Sequence, residues 1–166
     1  MINKEPRNKE YIMIIANDLE KEPYGIESAY AVLKFRLKNN IWAFHKRTKC
    51  KYYIKKGSKL VFYIAGKRKN SQNFVAEAEV KDYINLFPKK DISRYVKIPN
   101  WYFDTPEYKI ELKNIKWFNN FVNIYDIMDK LNIFSKKKTN KWGVFLQGGA
   151  SRISINDYNL IKRKSI

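Results

Sequence analysis

The chain has 166 residues, 45% hydrophobic and 16% aromatic, with 34 basic against 16 acidic side chains and a net charge of +18. That length suits one compact domain with a proper core, and the apolar content excludes a disordered polymer. The charge points to polyanionic partners, whose affinity would fall steeply with salt, although a lysine- and asparagine-rich composition also raises charge without building a groove.

Residues 1–10 are polar and read as a loose arm ahead of a single domain over 11–166; they lack the apolar core of a signal peptide. Tyr11 to Ala16 is a continuous apolar run, as expected of a strand covered on both faces, and Asn17-Asp18 ends it as a turn. Pro23, Tyr24 and Gly25 punctuate. Ile26, Ala29, Tyr30, Leu33 and Leu37 then recur at helical spacing, predicting an amphipathic helix over 26–38 stopped by Asn39-Asn40. A strand-like stretch rich in Tyr and Lys follows Arg47, and Cys50 reads as an inert residue of it. As the only cysteine, Cys50 excludes an internal disulfide and a thiolate zinc cluster.

The run from Leu60 to Ala65 is a second buried strand and the longest apolar stretch, far too short to span a bilayer. Phe74, Ala76, Ala78 and Val80 alternate with Val75, Glu77 and Glu79, predicting a strand with one wet face, paired as a hairpin across the basic loop 66–72. Residues 81–107 are irregular, with three prolines and the cluster Trp101-Tyr102-Phe103. Tyr108, Ile110 and Leu112 alternate, but Ile115 and Trp117 fall on the opposite phase, which predicts a bulge near Lys113-Asn114. A short helix over 124–131, a basic connector at Lys136, Lys137 and Lys138, and a strand over 142–146 follow. Gly148-Gly149 turns the chain into a last helix capped by Ser154, with Asp157 at the N3 position of a capping box. Many short strands with few helices predict an α+β domain on a curved, partly closed sheet.

Enzyme signatures are missing. There is no P-loop and no nucleophile elbow, and His45, the only histidine, excludes a His-based metal site. Glu77 and Glu79 would share a strand face and read as lysine partners rather than as an acid–base pair. The positive signal is an aromatic doublet, Trp42 and Phe44, set beside Lys46, Arg47, Lys49 and Lys51. Aromatic platforms in basic grooves grip unstacked nucleobases. The competing reading is that Trp42 plugs one end of the sheet. Lys46, Arg47, Lys67, Arg68, Lys69, Lys136, Lys137 and Lys138 are the phosphate-binding candidates.

The order of fragments across nearly the whole chain resembles the EVE family, related to YTH and PUA domains. The carrying segments are Tyr11 to Asn17, Leu37 to Trp42, Lys55 to Ile64, Phe74 to Val80, and then Trp142, Phe145, Gly148-Gly149, Arg152 to Ser154, Asp157-Tyr158 and Leu160-Ile161. The resemblance implies a PUA-like mixed β-barrel of five to six strands flanked by short helices. It implies a reader of a modified base, methylated cytosine or adenine, in DNA or RNA. By that resemblance Trp42 looks like one wall of an aromatic cage and Asn17 like the residue reading the base's polar edge. Trp101 is the choice for the opposing wall, with Tyr102 or Phe103 as alternatives, and His45 lines the groove. Ala43 stands where EVE proteins often carry glycine, and the segment between Asn17 and Trp42 is longer than usual. No cofactor, metal or membrane is expected, and the expected location is the cytoplasm. Two alternatives remain: a PUA-like RNA binder without base selectivity, and an amidohydrolase like the ASCH group. The latter needs a Lys, Thr and Glu constellation, for which Lys46 and Thr48 are near Trp42 but no acidic partner lies locally in the sequence.

Overall fold

The computed structural model describes residues 9–21, 25–45, 48–84, 106–134, 146 and 148–166. In chain order the elements are β1 (Tyr11–Ala16), β2 (Leu19–Lys21), β3 (Gly25–Glu27), α1 (Ala29–Lys38), β4 (Ile41–His45), β5 (Lys59–Ile64), β6 (Asn73–Ile84), β7 (Pro106–Asn123), α2 (Ile124–Ile127), β8 (Ala150–Arg152) and α3 (Ile155–Lys164), with single 3-10 turns between some of them. Six strands form one mixed sheet in the order β4-β7-β6-β5-β1-β8, and β2 pairs with β3 as a separate hairpin. β1 runs parallel to β5, and every other neighbour in the sheet is antiparallel. This curled sheet with three short helices is the expected α+β PUA-like architecture.

The strand predictions at Tyr11, Leu60 and Phe74 hold, because each sits where the sheet is covered. Ile12 to Ala16 and Leu60 to Ile64 are all buried, as continuous apolar runs require when layers lie on both faces. One layer places α1 over Ile12, Ile14, Phe62, Trp42 and Phe44; the other places α2 and α3 over Met13, Val61, Phe74, Phe118 and Val122. The β7 bulge is also present. Glu77 pairs with Lys116 but Glu79 with Lys113, so β7 gains one residue, and Asn114 takes φ +54°. The extra residue returns Ile115 and Trp117 to the side of Ile110 and Leu112, and all four pack in one layer.

Several expectations are corrected. Ile26 lies in β3 and is exposed; α1 begins at Ala29, because the Ser28 side chain accepts the N–H of Ala31 and caps the helix there. Residues 51–53 form a 3-10 turn rather than a strand, and Cys50 sits in the turn before it at φ +60°. Val75 is fully buried, since the register slips between Phe74 and Ala76 and turns it inward. The short helix ends at Ile127 and continues as a 3-10 turn over Met128–Lys130. Ser154 caps α3 as expected, but the Asp157 carboxylate does not close a capping box. It accepts the N–H groups of Asn132 and Ile133, at 2.7 and 3.1 Å, and ties α3 to the preceding turn. The strand expected over 142–146 lies mostly outside the described residues. Glu77 and Glu79 pair with cations as read from the sequence: Glu77 with Lys162, Glu79 with Lys59 and Lys113.

Candidate nucleic-acid interface

β4 and β1 stand four strands apart in the sheet, yet both line one cavity of about 250 Å³. Curling of the sheet brings them together. Trp42, Ala43 and Phe44 come from β4, Ile15 and Asn17 from β1 and its end, and Val32 and Arg36 from α1. Leu19 enters from the β2–β3 hairpin, which is how the long segment between Asn17 and Trp42 is folded. Asp18, Thr48 and Gly149 complete the lining.

Each contributor is held by local bonding. Trp42 lies opposite Ile110 across the β4–β7 ladder, with its ring tilted against Phe62 at 5.4 Å between centroids. It is only 4% exposed, so the solvent-facing platform read from the sequence is corrected to an interior wall. Arg36 covers the ring, its guanidinium carbon 4.6 Å from the centroid, while Nη1 donates to the Ala43 carbonyl at 3.4 Å. The wall is therefore a guanidinium–indole pair, an arrangement worth about 2 kcal/mol when desolvated. Arg36 went unnoticed in the sequence, though its place on the stripe of Val32, Leu33 and Leu37 marked a charge on an apolar helix face.

Asn17 is exposed, its Nδ2 making only a long 3.5 Å contact to the Ile15 carbonyl. Beside it, Asp18 is fully engaged: Oδ1 accepts the N–H of Ala29 at 2.8 Å and Oδ2 accepts Nε of Arg68 at 3.1 Å. Arg68, read as a phosphate contact, thus braces the cavity mouth, while Lys67 and Lys69 beside it are exposed. Gly149 adopts φ +77°, a left-handed conformation that favours glycine, and a Cβ there would meet the Thr48 hydroxyl at 3.4 Å, an ordinary contact. Lys109 lies across the ladder from Ala43 and is buried; burial and the nearby Arg36 charge pull its ammonium down to about 8.

His45 is the last residue of β4, just past a register shift. Lys46, Arg47, Trp101, Tyr102, Lys136, Lys137 and Lys138 lie outside the described residues. Of the expected base-binding set, Asn17 and Trp42 are brought together in one cavity. No group of three His, Cys, Asp or Glu side chains suited to a metal occurs among the described residues.

No protein-family model and no curated protein matches the sequence. Solved structures do match. Human THYN1 in complex with 5-methylcytosine-containing DNA aligns with a TM-score of 0.60 at 9% identity, over 95% of this chain and 98% of that one. The fold is the one shared by EVE and YTH domains. The YTH domain of Zygosaccharomyces rouxii MRB1, in complex with N6-methyladenosine RNA, gives 0.56 at 13% identity over 96% and 88% of the two chains. The N-terminal domain of Staphylothermus marinus McrB gives 0.56 at 12%, over 96% and 99%. The likeness in order and spacing read from the sequence is thus a likeness of EVE/YTH fold.

Proposed function

We propose that this EVE/YTH-fold chain binds nucleic acid and takes one flipped, modified base, a methylated cytosine or adenine, into the Trp42 cavity without chemically altering it. The observation carrying this reading is the cavity itself. It joins an aromatic wall, a side-chain amide and a glycine turn in a chain of net charge +18. Its volume of about 250 Å³ falls just under the usual range for drug-sized ligands, about 300 Å³ and above, which suits a single planar base. Asn17 offers both a donor and an acceptor to the base edge. Flipping costs a few kcal/mol, and stacking returns about 1–3 kcal/mol per base, with lysine–phosphate contacts supplying the rest. A buried methyl adds about 0.8 kcal/mol.

THYN1 and the MRB1 YTH domain, solved with methylated DNA and methylated RNA, support a reader over an enzyme. So does the lining: among the described residues its one carboxylate, Asp18, is already engaged by Ala29 and Arg68. The test is binding to oligonucleotides with and without 5-methylcytosine or N6-methyladenine, at two salt concentrations. The reading expects tighter binding to one modified strand, with affinity for all strands falling as salt rises. Equal affinity for every strand would reduce the protein to an unselective binder. Turnover of an acetylated nucleoside would favour the amidohydrolase.

A further inference from the structure

Outside the cavity, the connection from β4 to β5 carries features that the base-reading site does not use. Thr48 lines the cavity, and the next residue, Lys49, is stitched outward by its N–H to the Gly148 carbonyl at 2.8 Å. Cys50 at φ +60° then turns the chain, and the N–H of Tyr53 closes on its carbonyl at 3.0 Å. That turn holds two tyrosines at the surface: Tyr52 is 90% exposed and Tyr53 48%. The Arg152 guanidinium, on β8, lies 4.0 Å from the centre of the Tyr53 ring. Arg152 is itself fixed by a two-pronged bond to Glu10, Nε to Oε2 at 3.0 Å and Nη2 to Oε1 at 3.1 Å. Its charge is thereby offset while its plane stays in place.

We propose that Tyr52, Tyr53 and Arg152 form a stacking platform for the nucleotides beside the one held in the cavity. The inference rests on the nucleic-acid reading above and extends it from a single base to a short single strand. Unpaired bases stack on tyrosine rings and on guanidinium planes, whatever their sequence. The platform is joined to the cavity lining through the chain: Tyr53 follows Thr48 by five residues and Arg152 follows Gly149 by three, with Arg152 opposite Ile12 on β1. Because Glu10 offsets Arg152, the platform contributes stacking rather than phosphate neutralisation. Its contribution is therefore insensitive to salt, unlike that of the lysines.

The experiment measures binding of the full chain, and of its Tyr52→Ala, Tyr53→Ala and Tyr52→Phe variants, to labelled ten-nucleotide single strands of DNA and RNA. Each strand is used unmodified and with one methylated base, at two salt concentrations. Tyr52→Ala is expected to weaken modified and unmodified strands alike, by about 5- to 150-fold, with an unchanged salt slope and thermal midpoint. Tyr53→Ala should act in the same direction, and Tyr52→Phe should bind as the parent does. Loss in both alanine variants by a protein that does not discriminate modified strands would support the platform while refuting the modified-base reading. Unchanged affinity in both alanine variants, a loss equally large in Tyr52→Phe, or a parent chain that binds no strand would overturn the platform.

Discussion

Trp42 and Tyr52 stand ten residues apart on either side of Thr48, and they meet water in opposite ways. The first is 4% exposed, wedged between Phe62 and the Arg36 guanidinium; the second is 90% exposed on a turn. The same basic, aromatic stretch of sequence thus supplies a buried ring that lines the cavity and an exposed ring on the surface, the wall and the platform proposed above. The lesson concerns experiments as much as structure. On that reading, removing the wall should disturb fold and site together, whereas truncating exposed Tyr52 should act mainly on recognition.

The largest effect should come from Trp42→Ala. Deleting a buried indole leaves a cavity and costs about 3–5 kcal/mol, which at about 2–4 °C per kcal/mol lowers the melting midpoint by about 6–20 °C. Tyr52→Ala should stay within about 0.5 kcal/mol of the parent, as exposed substitutions do. Calorimetry of the two variants side by side checks the contrast, and equal midpoints would erase it.

A middling effect is expected at the rim. Gly149→Ala forces an ordinary residue to φ +77° with its Cβ against Thr48, costing about 1–2 kcal/mol. Gly149→Asn should cost less, since asparagine tolerates that conformation. Denaturant midpoints rank the two, and a parent-like Gly149→Ala would mean the turn relaxes freely.

The smallest effect belongs to an ion pair of the wet strand face. A hydrogen bond from Lys59, then the charges of Lys59 and Lys113, hold the Glu79 carboxyl below the usual carboxylate range. A depressed carboxyl adds stability above its ordinary value and loses it as pH falls through its folded-state value. Glu79→Gln should therefore cost about 1 kcal/mol near neutral pH and nothing in strong acid, where the parent's carboxyl is protonated. A constant difference across the acid range would show that the carboxylate's charge is not what stabilises.

Much of this was legible in the sequence, for identifiable reasons. Continuous burial wrote the runs at Tyr11 and Leu60, and a phase change at Asn114 wrote the β7 bulge. The β2–β3 hairpin and β8 escaped because three-residue strands are too short to display a period. The burial of Trp42 was legible only as the competing reading, for a longer-range reason: its cover comes from α1 and from the curl that carries β4 round to β1. Arg36, the residue that most alters the site, reaches it from a helix whose local pattern spoke only of packing.

Since Trp42 is part of the core as well as of the cavity lining, the most direct test of the base-reading claim falls on Asn17. It lines the cavity, is exposed and makes only one long hydrogen bond, so Asn17→Ala should leave the melting midpoint unchanged. The measurement is the ratio of affinities for a strand with one methylated base and its unmodified twin, in parent and variant. The account predicts a parent ratio well above one that collapses toward one in Asn17→Ala, with affinity for the unmodified strand retained. A parent without preference, or a variant that keeps the full ratio, would contradict it.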